Sequence, residues 1–540
     1  MAALFGRDRI CGVVAAVTPR DMFRQLAAAL HSTSTVELRL DYLRDAREIR
    51  HFLAQLSEFR RVVPRIARAT LIATCRRKDA GGKFRGSPAA QLDLLRLAAK
   101  SGCAWLDLEI ETAAGLSEEE WSERASPAGS LGSRQQAPGP QSRRRTQTSA
   151  PAPVKARWMI SHHDFRATPA QLKPLLARME RLRADAYKIA TQAQSLREAV
   201  RVCDLARPRQ DVVAVPMGEL GLPARILALR GGSALAYASV ETATAPGQAS
   251  LADMKTLYRA DAIDAQTRVY GVIGDPIGHS LSPVMHNAAL RARKVHGVFL
   301  PFRVTDLRDF LRAIEPMGIR GFSVTLPHKA RILRYLDECD PLAADIGAVN
   351  TVVVRGAGKL YGYNTDYTGV LHAMQKRMTL RGAKVLLFGA GGSARAAAFA
   401  LAGAGASVVV CARRPARAGE LARAVGGETV PRRALRGGAR FDAIVNATPV
   451  GMYPHPDASP LDAAELNCRV VFDLIYRPQK TRLLQLAAQR GIETISGLQM
   501  FVAQGAAQFE IFTGMRPPVA AMRRAVESVL QREEKERSKR

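Results

Sequence analysis

The 540-residue sequence predicts the α/β class twice in series: a (β/α)8 barrel first, then an open nucleotide-binding sheet. Three observations carry this. Between residues 8 and 245, eight short apolar strand candidates alternate with helical patterns, the count a closed barrel needs. A second alternation starts at residue 269. Within it, Val385-Leu-Leu-Phe-Gly-Ala-Gly-Gly-Ser-Ala-Arg395 reads as strand, Gly-rich turn and helix start. At ~100–200 residues per domain, a chain of this length holds two to four domains.

In chain order, the barrel strands begin near Ile10, Val36, Thr70, Trp105, Trp158, Ala186, Val212 and Ala234. A doubly wound sheet competes with the barrel, but no Gly-rich phosphate turn follows the first strand. Residues 115–156 break the rhythm with Ser-Glu-Glu-Glu, Arg143-Arg-Arg145 and Ser-Ala-Pro-Ala-Pro runs. Their composition cannot bury a core and predicts a largely disordered insertion. Residues 256–268 read as a linker. Val269-Tyr-Gly-Val-Ile-Gly then reads as a strand ending in a turn, and Ser407-Val-Val-Val-Cys as a strand after the Gly-rich turn and its helix. The tail from Gln531 to Arg540 is almost all charge and predicts a fraying end.

Hydrophobic content of 47% and charged content of 24% are those of a soluble globular protein. The seven cysteines are scattered, odd in number and form no Cys-x-x-Cys. That pattern points to free thiols in a reducing compartment and predicts neither a disulfide framework nor a metal ribbon. The longest apolar stretch, Ala396 to Ala412, is broken by Gly403 and Gly405 and reads as helix then strand, so no membrane span is predicted. The net charge of +30 raises nucleic-acid binding. The arginines are spread along the whole chain with no recognisable nucleic-acid module, so none is expected. The same field favours small anionic substrates.

Charge inside barrel strands is costly unless paired or functional. Glu37, Arg39 and Asp41 alternate along one strand and should share a face. Arg76 ends the next strand, His163 ends the fifth, Lys188 lies in the sixth, Arg225 follows the seventh and Gln248 the eighth. Active residues of this architecture gather at the C-terminal strand ends. A lysine there becomes a nucleophile when desolvation or nearby cations depress its pKa, and a histidine can then move protons. The set suits an imine on a ketone whose carboxylate the arginines bind. Residues 8–255 resemble type I 3-dehydroquinate dehydratase through Val36-Glu-Leu-Arg-Leu-Asp41, Ser161-His-His-Asp-Phe165, Lys188-Ile-Ala and Ala245-Pro-Gly-Gln248. The resemblance implies that Lys188 forms the imine and His163 is the general acid/base. It places Glu37, Arg39, Arg76, Arg225, Thr244 and Gln248 at substrate. The family's substrate-contacting serine on the first strand has no clear match in Val13-Val-Ala-Ala16.

In the second half the turn Gly389-Ala390-Gly391-Gly392-Ser393-Ala394 offers backbone amides and a positive helix end to a pyrophosphate. The next strand leads into Arg413, Arg414 and Arg417, where an NAD enzyme usually places an acid. Arginines there favour a 2′-phosphate, hence NADP. Upstream, Gly278-His-Ser280-Leu-Ser282, Thr325-Leu-Pro-His-Lys329, Asn350 and Asn364-Thr-Asp366 suit a polyhydroxylated acid, with Lys329 and Asp366 able to relay a proton. Residues 269–530 resemble shikimate dehydrogenase. The resemblance makes Lys329 and Asp366 the catalytic pair and puts Ser280, Ser282, Thr325, Asn350, Tyr476 and Gln504 at shikimate. It lines the cofactor with Gly389 to Ala394, Arg413, Arg414, Arg417, Thr448, Leu474 and Gly497. It implies a shikimate-binding domain over 269–365, a Rossmann NADP domain over 366–480 and returning helices over 481–530. The chain departs from the family at Ala412-Arg-Arg414 and at Ser323-Val-Thr325.

The product of the implied dehydratase is the substrate of the implied dehydrogenase. A bifunctional shikimate-pathway enzyme acting on 3-dehydroquinate and 3-dehydroshikimate is therefore expected, as a monomer or homodimer. Fusion should raise the local concentration of the intermediate. The N-terminus shows no secretory or transit signal, which points to a bacterial, cytoplasmic protein. Two rivals stand beside this reading. One is a quinate/shikimate dehydrogenase using NAD in the second half; the other is a catalytically inactive regulator resembling quinate repressors.

Overall fold

The structure, a computed structural model, describes residues 4–6, 8–117, 156–207, 209–245, 247–437 and 439–537. Most of the polar 115–156 insertion, the Arg143–Arg145 cluster and the last three residues of the tail lie outside them. The chain divides into two compact units, Met1–Gln266 and Thr267–Arg540.

In the first unit, eight parallel strands form the predicted barrel: β1 Ile10–Val14, β2 Thr35–Arg39, β3 Thr70–Thr74, β4 Trp105–Glu109, β5 Arg157–Asp164, β6 Ala186–Gln192, β7 Val212–Met217 and β8 Ala236–Ser239. Strands β1 to β7 pair in sequence order and β8 pairs back onto β1. At the remaining seam Ala234 N–H donates to the Val212 carbonyl at 3.0 Å, and the Ser233 hydroxyl accepts from Ala214 N–H at 3.1 Å. Phe5 stacks on Trp105 at 4.1 Å at the N-terminal end. Val13, Ile72, Met159 and Val213 fill the barrel with them. Each such large apolar side chain stabilises the fold by about 1.5–3 kcal/mol. Arg39, Glu109, His163 and Asp164 lie at or next to the other end of β2, β4 and β5, with Glu37, Asp107 and Lys188 in mid-strand. Asp41 is the exception to the predicted alternation. It falls in the 3-10 turn Leu40–Tyr42, past the end of β2.

Residues read as a linker are packed onto this unit. Arg9 donates to the Ile263 carbonyl at 3.0 Å, Lys255 pairs with Asp8 and Asp261, and Ala260 is fully buried. The segment is polar in sequence, but these pairings to Arg9 and Asp8 bind it back.

The second unit contains two six-stranded sheets. The first is mixed, from β9 Arg268–Gly274, β10 Gly297–Arg303, β11 Ile319–Val324, β12 Glu338–Cys339, β13 Thr351–Val354 and β14 Leu360–Tyr363, in the order β10-β9-β11-β13-β14-β12. The second is all parallel, from β15 Lys384–Phe388, β16 Ser407–Cys411, β17 Glu428–Thr429, β18 Ala443–Asn446, β19 Val470–Asp473 and β20 Glu493–Ser496. Its order, β17-β16-β15-β18-β19-β20, is the 3-2-1-4-5-6 arrangement of a dinucleotide-binding sheet. The sheet runs through Ser496, past the expected boundary at 480, because the short strand Glu493-Thr-Ile-Ser offers too few apolar residues to be read. The helix Gly497–Thr513 then packs on the helix Thr365–Gln375, and Val519–Arg537 follows. That last helix absorbs most of the charged tail. Its Glu533 pairs with Arg477, and Arg537 lies 3.9 Å over the Tyr453 ring.

Candidate active sites

The barrel gathers its strand-end charges around Lys188. Strand β5 pairs with β6 so that Ser161 lies level with Lys188 and His163 with Ala190. The Lys188 ammonium is buried, 3.1 Å from Glu37 Oε1 and 3.0 Å from Asp107 Oδ2. It also lies 4.0 Å over the Tyr237 ring. Glu37 Oε1 accepts from the Thr74 hydroxyl at 2.8 Å. Asp107 accepts twice from Arg76 at 3.1 Å and from Ser161 Oγ at 2.5 Å. Burial pushes the Asp107 carboxyl up, but Lys188 and Arg76 outweigh it and hold it at about 2. Lys188 is thus desolvated, and it sits in an ion-pair cluster with Glu37 and Asp107, two carboxylates not foreseen as its partners.

His163 is pushed well below the ordinary imidazole range, first by burial and then by Arg76, Lys188 and Arg39. Its Nδ1 is buried without a hydrogen-bond partner among the described residues. A neutral ring of this kind can take up a proton. Arg39 turns to Asp41, which accepts two hydrogen bonds at 2.9 Å each. Arg225 is buried and donates to the Pro216 carbonyl at 3.2 Å; burial lowers its guanidinium to about 10. Thr244 and Gln248 hold each other, Gln248 Oε1 accepting from Thr244 N–H at 2.8 Å and its hydroxyl at 3.2 Å. Pro246 between them lies outside the described residues. No hydrogen bond in the described residues links this pair, or Arg225, to Lys188.

Sequence reasoning passed over Asp107, Ser161 and Tyr237. Asp107 carried the same signal that singled out Glu37, a carboxylate in the middle of an apolar barrel strand. Tyr237 carried none, since an aromatic in a strand reads as core.

In the second unit, Lys329 Nζ lies 2.5 Å from Asp366 Oδ2 and donates to Ser393 Oγ at 3.0 Å. Asn350 Nδ2 donates to Asp366 Oδ1 at 2.8 Å and to Gln504 Oε1 at 3.5 Å. Its Oδ1 accepts from Thr365 N–H at 2.8 Å. Asn364 caps the helix Thr365–Gln375 by accepting from the Asp366 and Tyr367 amides, which sets Asp366 at its first turn. Behind Asn350 stands Gln508, a residue the sequence did not single out. It donates to the Asn350 carbonyl at 3.2 Å and accepts from Ser323 Oγ at 2.9 Å. Thr325 opens the turn carrying Lys329, its carbonyl accepting from His328 N–H at 2.9 Å. Ser280 Oγ accepts from Ser282 N–H at 3.3 Å. Burial raises the Tyr476 phenol, which lies against Leu281 and Ser280 and stacks on Phe501 at 4.2 Å. No hydrogen bond in the described residues joins Ser280, Ser282 or Tyr476 to Lys329.

Strand β15 ends in the Gly-rich turn. Gly389 has φ +114°, and a Cβ there would meet the Ala447 carbonyl at 3.0 Å. Gly391 faces open space. A Cβ on Gly392 would lie 3.1 Å from Lys329 Cβ, so Ala390 to Ala394 run beside the lysine. The helix Gly392–Gly403 has no side-chain cap, which leaves its first amides to a ligand. Arg413, Arg414 and Arg417 are exposed, and no ion pair with them occurs among the described residues. Thr448 follows β18, its N–H and hydroxyl both donating to Asn446 Oδ1. Leu474 follows β19, and a Cβ on Gly497 would lie 2.3 Å from its carbonyl. These residues fit a phosphorylated dinucleotide: amides for the pyrophosphate, uncommitted guanidiniums for a further phosphate. Among the described residues no group of three or more His, Cys, Asp or Glu side chains is placed to hold a metal ion, and no helix is long and apolar enough to cross a membrane.

Fold and sites define a two-enzyme chain, a lysine-centred lyase barrel followed by a nucleotide-dependent oxidoreductase. The family model of type I 3-dehydroquinase matches residues 10–265, that of the shikimate dehydrogenase substrate binding domain residues 272–352, and that of the shikimate 5'-dehydrogenase C-terminal domain residues 497–527. The chloroplastic bifunctional 3-dehydroquinate dehydratase/shikimate dehydrogenase of Arabidopsis thaliana is 34% identical over 506 residues, covering 89% of this chain and 78% of that protein. A shikimate dehydrogenase (NADP(+)) of Methanothermobacter thermautotrophicus is 40% identical over 284 residues, 50% of this chain and 100% of that protein. The crystal structure of shikimate 5-dehydrogenase from Thermus thermophilus in complex with NADP(H) and shikimate is 39% identical, covers 48% of this chain and 99% of its own, and has a TM-score of 0.45. The chain belongs to the family of bifunctional 3-dehydroquinate dehydratase/shikimate dehydrogenases.

Proposed function

We propose that the barrel dehydrates 3-dehydroquinate to 3-dehydroshikimate and that the second unit reduces 3-dehydroshikimate to shikimate with NADPH. The observation that carries this is Lys329, which touches Asp366 on one side and Ser393 of the Gly-rich turn on the other. A proton-holding group thus stands between a carboxylate and the start of a nucleotide-binding helix.

In the barrel, Lys188 Nζ attacks the ketone carbon and water leaves, giving an imine. His163, neutral in its setting, removes the proton next to the imine. The hydroxyl on the following carbon departs, protonated by the same ring, and hydrolysis of the imine frees the lysine. Arg76, Arg39 and Arg225 are the cations available to the substrate carboxylate and hydroxyls, with Glu37, Thr244 and Gln248 as polar partners. In the second unit, Lys329 holds the proton for the substrate oxygen and Asp366 fixes the ammonium. Asn350, Gln504, Ser280, Ser282, Thr325 and Tyr476 orient the hydroxyls and carboxylate. The nicotinamide, when bound, supplies the hydride. Gly389 to Ala394, Thr448, Leu474 and Gly497 would hold the dinucleotide, with Arg413, Arg414 and Arg417 at the 2′-phosphate. Seven free cysteines suit a reducing compartment, and we place the protein in the cytoplasm.

Supplying 3-dehydroquinate and NADPH to the intact protein and following NADPH absorbance tests both sites at once. Absorbance that stays flat, with 3-dehydroshikimate and NADPH also unreactive, would remove the reductase reading. A further expectation separates NADP from NAD. Replacing Arg413 and Arg414 together by alanine should raise KM for NADPH by about 10–100-fold, two charge-assisted contacts being lost. KM for NADH should stay within about threefold. Equal changes for both cofactors would show that these arginines do not read the 2′-phosphate.

A further inference from the structure

Two residues that hold neither substrate nor cofactor in the reading above sit fully buried at adjacent strand ends of the parallel sheet. Asn446 ends β18 and Asp473 ends β19, and both are 0% exposed. Asn446 Nδ2 donates to Asp473 Oδ1 at 3.1 Å and to the Val450 carbonyl at 3.2 Å. Its Oδ1 accepts from Thr448 N–H at 3.1 Å and Thr448 Oγ1 at 2.7 Å. Asp473 Oδ1 accepts from Ile475 N–H at 3.1 Å, and its Oδ2 accepts from Thr481 Oγ1 at 2.7 Å. Every polar atom of the two side chains is committed, and each partner lies in one of two loops. Residues 447–451 form the loop bearing Thr448 on the cofactor side. Residues 474–481 form the loop bearing Leu474 and Tyr476, the latter against Ser280 on the substrate side. The loops also meet at Gly451, φ +100°, whose Cβ would lie 3.7 Å from Thr481 Cβ.

We propose that the Asn446–Asp473 pair is a positioning strut that ties the cofactor loop to the substrate loop, so that binding on either side orders both. The inference rests on the reading of this unit as an NADP-dependent shikimate dehydrogenase. A hydrogen-bonded pair in a water-excluded place has few alternative arrangements, so an ordered loop 447–451 fixes the amide, the carboxylate and then the Ile475 amide. Coupling of this kind is reciprocal: shikimate should tighten NADPH to the degree that NADPH tightens shikimate. Among the described residues no charged group faces Asp473. Burial raises its carboxyl to about 6, against the pull of Thr481, Ile475 and Asn446.

The test uses the full chain and the non-reacting pair NADPH and shikimate, with NADPH binding followed by fluorescence. In the wild-type protein, saturating shikimate should tighten NADPH by about fivefold or more. Asp473→Ala should bring that factor close to one, and Asp473→Asn should restore it, since an amide oxygen can still accept from Asn446 and Ile475. Should Asp473→Ala not fold, Asn446→Asp serves instead. It sets two carboxylates side by side, lowers the coupling and raises both KM values by about tenfold at neutral pH. These losses should shrink as pH falls, since two adjacent buried carboxylates can then share a proton. Three results would overturn the strut: wild type with no coupling, Asp473→Ala with full coupling, or an Asn446→Asp defect that acid does not relieve. Wild type that fails to reduce 3-dehydroshikimate at all refutes the functional reading instead.

Discussion

Lys188→Ala is expected to lower 3-dehydroquinate dehydration by about 10⁴-fold or more, because it removes the nucleophile and no other lysine stands in its cluster among the described residues. Reduction of added 3-dehydroshikimate should keep its wild-type rate, since Lys188 lies within Met1–Gln266 and Lys329 within Thr267–Arg540. Following enone absorbance with 3-dehydroquinate and NADPH loss with 3-dehydroshikimate separates the two. Borohydride added during turnover should fix substrate on the wild-type chain at Lys188 and leave the variant unmodified by mass. The substitution also strips a cation from Glu37 and Asp107, both buried. Loss of one partner from a buried ion pair costs about 3–5 kcal/mol, so the melting temperature must be read beside the rates. A folded variant that still dehydrates would end the imine mechanism.

Lys329→Ala should do the converse. Reduction of 3-dehydroshikimate falls by about 10²–10⁴-fold, the range for losing a positioned proton donor, and dehydration persists. Asp366→Asn should fall less, because the single amide oxygen can still accept from Lys329 or from Asn350, which in the wild type donate to separate oxygens. The loss should reside in kcat, with KM for NADPH within about threefold of wild type, since the proton donor acts in the transition state. A fall confined to KM for the substrate would make Lys329 a binding residue only.

Much of this was legible in the chain. All eight barrel strands stand where apolar runs alternate with helical patterns, because parallel strands buried on both faces must be nearly continuous in Val, Ile, Leu and Ala. The Gly-rich turn showed itself because only glycine tolerates φ +114° at Gly389 and close approach to Lys329 at Gly392. Less legible were contacts between residues far apart in the chain. Asp107 and Lys188 meet from β4 and β6, and the signal of each is a lone charge whose partner no spacing rule supplies. The pairing of Lys188 with Asp107 was not foreseen for this reason. Element ends also failed where pattern is weak. Asp41 continues the alternation of β2 in letters but turns out of the strand to pair with Arg39, and β20 is too short and polar to announce itself. Glu533 and Arg537 look like solvated tail, yet Arg477 and the Tyr453 ring give them a place on the last helix.

The clamp on Lys188 has a consequence for chemical selectivity. Aldehydes and simple ketones abound in any metabolising cell, and a bare amine at the mouth of a barrel would condense with many of them. Held by Glu37, Asp107 and the Tyr237 ring, Lys188 Nζ is engaged on three sides and leaves such visitors little approach. In the proposed reaction, a substrate carboxylate that binds Arg76 competes with Asp107 for it and loosens the clamp, so that reactivity depends on the part of the substrate that does not react.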